Sequence, residues 1–304
     1  MTGHLPLRRL LAAGLWLALA AAPAVGAAEA PADLYYERAL MSLADDRCRL
    51  FTPELASALD AAEAQARGAA LRAGASPAQL RAVAARAAGT ASRLPCRSPD
   101  LQLAAARVRQ GFDGYSRLLR MTFPGDVSVW RADRSLPVAS PVWRLSQAAQ
   151  LGAGSVTFGL AGDWNAPAEL LAVADFGSGP QPYAARLMVR DPARAPEPYL
   201  DALRPGASAR LPLSARVPPP EAARVFAADD RAIAGQTLAP AGTRTALAFS
   251  FPTAAVAALA ELDPREAVSL EFLFQGPHGD VERTAFIEVG DFAAGRAFLA
   301  TARR

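Results

Sequence analysis

The chain is 304 residues long, 52% apolar and 20% charged, with a net charge of +3. That balance supports a folded core and excludes a disordered polymer, while the small net charge argues against nucleic-acid binding. Every residue counted as Lys or Arg is Arg, which removes Schiff-base and P-loop lysine chemistry.

Residues 1–28 read as a secretory signal peptide. Arg8 and Arg9 precede the apolar run LLAAGLWLALAAA, and Val25-Gly26-Ala27-Ala28 offers small residues for cleavage after Ala27 or Ala28. The run is short of the ~20 residues of a membrane span, and no later stretch is long and apolar enough for one. The expected compartment is the periplasm or the exterior. Cys48 and Cys96 are the only cysteines, and in an oxidising compartment they predict a disulfide. A metal site has too few candidate ligands, because His278 is the only histidine after the leader. No cofactor is expected.

Four helices are predicted over residues 31–122. The first runs from Pro31 to Leu50, with Tyr36, Leu40, Leu43, Ala44, Cys48 and Phe51 on one face. The second starts at Thr52-Pro53-Glu54, a capping residue followed by proline and an acidic first turn, and Gly74 ends it. The third opens on the capping box Ser76-Pro77-Ala78-Gln79 and stops before Pro95. The fourth opens on Ser98-Pro99-Asp100 and is expected to reach Phe123. Its stripe of Leu101, Ala105, Val108, Phe112, Tyr115 and Leu119 marks it as the element around which the others pack. Short loops favour an antiparallel four-helix bundle, whose topology brings Cys48 and Cys96 to one pole.

From about Asp126 the period shortens. Strands are predicted at Val127–Arg131, Val142–Leu151, Ser155–Ala161, Leu170–Phe176, Tyr183–Arg190, Ala209–Val217, Arg224–Ala228, Arg244–Phe251, Ala267–Gln275 and Val281–Val289. Helices at Thr253–Leu262 and Phe292–Ala300 interrupt them. The fold class is therefore α+β, with residues 126–304 forming a mainly antiparallel β sandwich or open barrel carrying two short helices. Trp130 and Trp143 are expected in its core.

Candidate sites are sparse. No G-x-S-x-G elbow occurs, and no Ser-His-Asp set forms without His278, which sits in a Gly/Pro turn. The pairs Asp45-Asp46 and Asp229-Asp230 read as loop or helix-end charges. No catalytic residue is assigned. Asp163-Trp164-Asn165 joins two predicted strands, and its tryptophan offers a flat apolar face for a sugar or peptide. Arg81, Arg86, Arg107, Arg117 and Arg120 read as a solvated basic face. Leu270–Pro277 (LEFLFQGP) resembles the recognition sequence of picornaviral 3C-type proteases, and its place inside a strand and turn gives it no expected biological role. The leading expectation is a non-enzymatic exported protein that binds another envelope component. A binder of a small apolar or sugar ligand, held in the β part or at the seam with the helices, comes second. A hydrolase using two carboxylates comes last.

Overall fold

The computed structural model describes residues 31–135, 140–163, 168–200, 211–240, 242–243 and 245–300. The expected leader and the residues Trp164 and Asn165 lie outside them. Among the described residues there are six helices and two antiparallel sheets, a mixed α+β architecture with no closed barrel.

The helical starts follow the local chemistry of the sequence. In α1 (Pro31–Cys48), α2 (Pro53–Arg72), α3 (Pro77–Arg93) and α4 (Pro99–Tyr115), proline takes the first turn each time. Thr52 and Ser98 accept from the amides of Leu55 and Leu101, and Ser76 and Gln79 complete a reciprocal capping box. α1 packs against both α2 and α3 and buries Tyr35, Ala39, Met41 and Ala44. Tyr36, Leu40 and Leu43, expected on the buried face, are only partly covered, because a helix with two neighbours buries two flanks instead of one stripe.

The fourth helix is shorter and more peripheral than expected. It ends at Tyr115, and only Leu101 and Ala105 are buried in it. Two causes stop it. Gly111 and Gly114 lower its helix propensity. The Arg134 guanidinium also takes the carbonyls of Tyr115 (2.5 Å) and, through Nε, Leu118 (2.7 Å), fixing the chain as it leaves the helix. Leu119 is exposed, and the next residues form a strand.

Among the described residues eleven strands follow in chain order: β1 (Arg120–Pro124), β2 (Val129–Asp133), β3 (Val142–Leu151), β4 (Gly154–Gly162), β5 (Glu169–Ala174), β6 (Ala184–Arg190), β7 (Ala223–Ala227), β8 (Asp230–Ile233), β9 (Leu247–Phe251), β10 (Ala267–Gly276) and β11 (Gly279–Glu288). The larger sheet has the order β1-β2-β3-β4-β5-β9-β8, the smaller β11-β10-β6-β7. The strand expected at 209–217 is absent from the described part of that segment. Leu213–Ala215 is a short 3₁₀ turn there, between Pro212, which has no amide to give a ladder, and the Pro218–Pro220 run. Helices α5 (Thr253–Glu261) and α6 (Phe292–Ala300) fall where the sequence put them, within a residue.

One apolar cluster takes side chains from both sheets and both later helices, among them Trp130, Phe158, Phe249, Leu187, Phe272 and Phe298. Trp130 is fully buried. Trp143 lies on the other face of the larger sheet, half-buried, and donates from Nε1 to the Leu238 carbonyl at 3.1 Å.

Cys48 and Cys96 are joined, with their Cα atoms 5.4 Å apart and 48 residues between them. Closing a loop of that length removes unfolded-state entropy worth about 4 kcal/mol in the chain-entropy model. Reducing the bond should therefore lower the unfolding free energy by up to that amount, read from urea unfolding with and without reductant. A 3C-type protease should leave the folded chain intact, because Phe272 and Phe274 of its recognition sequence face the core. It should cut after Gln275 only in the fraction unfolded at rising urea.

Candidate functional site

The position of α2 decides which hollows the molecule has, and α2 is tied through Asp291 to the segment that runs on from Glu288, the last residue of β11. The Glu288 carboxylate is fully buried. It accepts from the backbone amides of Asp126 (2.5 Å), Val127 (3.0 Å) and Ser128 (2.7 Å) and from the Ser128 hydroxyl (2.9 Å). The turn between β1 and β2 thus wraps the carboxylate, and a side chain at Gly125 would run into it. Arg216 lies beside both acids, with Nη1 3.0 Å from Asp126 and 3.8 Å from Glu288. The Glu288 main chain is held as well. Its amide donates to the Gln147 side chain at 2.9 Å, and its carbonyl accepts from the same side chain at 3.0 Å, which ties β11 to β3.

The Val289 carbonyl accepts from Trp130 Nε1 at 2.8 Å. Asp291 then grips α2. Arg72, in the last turn of that helix, donates from both terminal nitrogens to its two oxygens at 2.7 and 2.9 Å. A cation there also suits the negative end of the helix dipole. The approach is close enough that a Cβ at Gly68 would collide with Asp291 Oδ1. Burial pushes the Asp291 carboxyl up from its ordinary value, and the Arg72 pair works against that rise.

Held in this way, α2 forms a wall of two clefts. The first, of about 360 Å³, lies between α2, the α5 end and the start of α6. Asp60, Glu63 and Arg67 face it from α2, and Asp291 faces it from the other side. Burial raises the Asp60 carboxyl, and Asp46 and Asp45 raise it further. Burial also raises Glu63, the nearby Ser42 side chain opposes it, and Asp60 and Asp46 add to the rise. Asp60 and Glu63 stand three residues apart on one helix, and Asp291 is already paired with Arg72.

The second cleft, of about 460 Å³, opens between α1, α2, α4 and β1. Its walls are hydrocarbon and ring: Met41, Leu55, Leu59, Phe112, Met121 and Phe123. Leu55, Leu59 and Phe123 are buried and form a firm floor, while Phe112 and Met121 are half-buried and face the opening. Glu37 and Arg38 of α1, Gln65 of α2 and Arg107 of α4 supply its polar atoms. Its volume lies within the ~300–1,000 Å³ of small-molecule sites, and its mix of apolar wall with few polar groups is typical of them.

The residues singled out in the sequence are scattered. Asp163 follows β4 and lines neither cleft, and Trp164 and Asn165 lie outside the described residues. Asp45 caps the loop after α1 by accepting from the amides of Leu50 and Phe51. His278 is exposed at the β10–β11 turn. Of the basic face, Arg86 lies over the Tyr36 ring, Arg120 pairs with Asp133, and Arg107 reaches the apolar cleft. Among the described residues no group of three His, Cys, Asp or Glu side chains is placed to hold a metal ion, and no helix is long and apolar enough to cross a membrane. Sequence reasoning missed the apolar cleft because its walls come from four separated segments. The one local signal was the half-exposed end of the α4 stripe at Phe112 and Tyr115.

Compared with protein-family models, curated proteins and solved structures, the chain shows no match.

Two outcomes follow from these charges. Arg216→Met leaves Asp126 and Glu288 buried together without their cation, and should cost about 3–5 kcal/mol of stability, as removing one partner of a buried ion pair does. Asp60→Asn with Glu63→Gln should act in the opposite direction. Both carboxyls are raised in the folded chain, so folding disfavours their charged forms above the folded values and carries no such cost below the ordinary ones. The double variant should therefore be more stable than the parent at neutral pH, with the gain vanishing as pH falls to the ordinary carboxylate range. Thermal melts across pH 4 to 7 would check this.

Proposed function

We propose that this chain is an exported binding protein that holds a small apolar ligand in the cleft between α1, α2, α4 and β1. The observation that carries the reading is the cleft itself, a hydrocarbon-walled hollow floored by buried residues and rimmed by a few polar groups. The reading places the cleft at the seam of an N-terminal helical bundle and an open β sandwich, and it takes the leader as removed on export. The disulfide and the lack of a spanning helix among the described residues are compatible with such a compartment. No chemical step is assigned, since the raised carboxyls of the other cleft stand on one wall and their neighbour Asp291 is engaged by Arg72.

A protein partner is the second reading, and the outer strands favour it. All of β8 is exposed, Ile233 at 76%, and Val225 of the neighbouring edge strand β7 is exposed at 51%. Both edges are short and carry charge, which limits them to a docking role of modest area.

Native mass spectrometry of protein purified from its own host is the test. Binding predicts an added mass that disappears after solvent extraction, a start at residue 28 or 29, and no alkylatable thiol. Material with a bare apo mass would overturn the ligand reading. Enrichment of one protein by crosslinking, lost on Ile233→Asp, would favour the partner instead.

A further inference from the structure

The charges around the apolar cleft bear on what its ligand carries, and the inference rests on the binding reading above. Three charged side chains line it: Glu37, Arg38 and Arg107. Two are cationic, and they come from different helices, α1 and α4, so the cleft has a guanidinium on each flank. Arg107 has no hydrogen-bond or ion-pair partner among the described residues, as is also true of exposed Arg81, Arg97 and Arg117, and its place in the cleft lining is what sets it apart. Gln65 adds an amide to the same lining. Asp60 and Glu63 of α2 face the other cleft, and its third acid, Glu54, lines neither. The helix thus separates a hollow bearing carboxylates from one whose charge is mainly positive.

We propose that the ligand is a single-chain amphiphile with a carboxylate head. Its hydrocarbon tail lies against Leu55, Leu59, Phe112 and Met121, and its carboxylate meets Arg107, with Arg38 on the facing flank. A guanidinium suits this task, because its planar fork matches the two oxygens of a carboxylate and stays charged at any working pH. The tail accounts for the apolar walls, the head for the unengaged Arg107. A cationic head would place like charge against two arginines. A neutral sugar would leave the walls without ring-stacking partners other than the half-buried Phe112 and Tyr115.

The experiment compares three ten-carbon amphiphiles on the full mature chain by titration calorimetry at low salt: decanoate, decanol and decyltrimethylammonium. Decanoate should bind tightest, by on the order of tenfold or more over decanol, since a hydrogen bond to a charged group contributes about 1.5–3 kcal/mol. Arg107→Gln should remove that preference while leaving decanol binding as it was. Gly111→Leu supplies the control. A Cβ at Gly111 meets nothing within 4 Å, so the larger side chain enters the cleft without straining the helix, and it should abolish binding of all three with the melting temperature kept. Equal binding of the three compounds, or tighter binding of the cation, overturns the head-group inference and leaves the cleft reading standing. Binding of none overturns both, and so does binding that survives Gly111→Leu. A preference for decanoate that survives Arg107→Gln overturns the role of Arg107.

Discussion

The buried Glu288 carboxylate is the constraint from which the rest of the arrangement follows. Moving an ionised carboxyl out of water costs several kcal/mol even after relaxation, so it is tolerated only where donors converge on it. Here three consecutive backbone amides, one hydroxyl and a guanidinium do so. The carboxylate satisfies the amides of the turn between β1 and β2, and those amides in turn replace the water it gives up. Each therefore fixes the other. The main chain at the same residue is matched to Gln147, so this single position joins the smaller sheet to the larger one twice, once through its side chain and once through its backbone.

The consequence reaches the helices through Asp291. Much of α2 and α3 is alanine, which lets helices come close but buries little area per residue. Packing alone holds such helices weakly, and two covalent or ionic ties make up the difference. The Cys48–Cys96 bridge closes one end of the helical part, and Arg72–Asp291 docks the end of α2 on the sheet side. An ion pair with one oxygen set fully buried is directional in a way that alanine contacts are not. It sets the angle of α2, and Gly68 allows the approach that the angle needs.

The parts of this design that depend on neighbours in sequence were legible, and those that depend on distant partners were not. Ser76 and Gln79 form their capping box within three residues, and Thr284 and Phe286 alternate with Ala285 and Ile287 within one strand, so both elements fall close to where the chain alone puts them. The stripe from Leu101 to Tyr115 is a real helical face, but periodicity cannot tell a central helix from one at the margin, and it ran on past the true end into β1. Gly111 and Gly114 weaken that end locally, and the other cause, Arg134, lies nineteen residues beyond Tyr115. Glu288 shows the same limit. In the alternation of β11 it shares a face with Thr284 and Phe286 and reads as a solvent-facing polar residue. It is buried because the turn at 126–128, remote in sequence, folds over it. Arg216 was read as part of a strand and is instead the cation of that cluster. Buried ionic groups of this kind break local rules, and only the partner explains them.

The two clefts on either side of α2 are products of that same docking. A helix rich in small residues that packs on α1 and on α6 and is tied at one end leaves space on either side of it. On the flank toward α6 the space is lined by carboxyls that also face the acids of α1, and their raised values reflect the crowding. On the other flank the strands turn Phe123 and Met121 toward α4, and the space is lined by hydrocarbon. The α2 and β1 floor of that second hollow belongs to the best-held part of the molecule, because β1 is paired with β2, whose turn encloses Glu288. Its outer wall, α4, is the least embedded of the first four helices. A rigid floor with a loosely packed wall is a combination suited to admitting a ligand between fixed contacts and a yielding side, and it arises here without any residue devoted to movement.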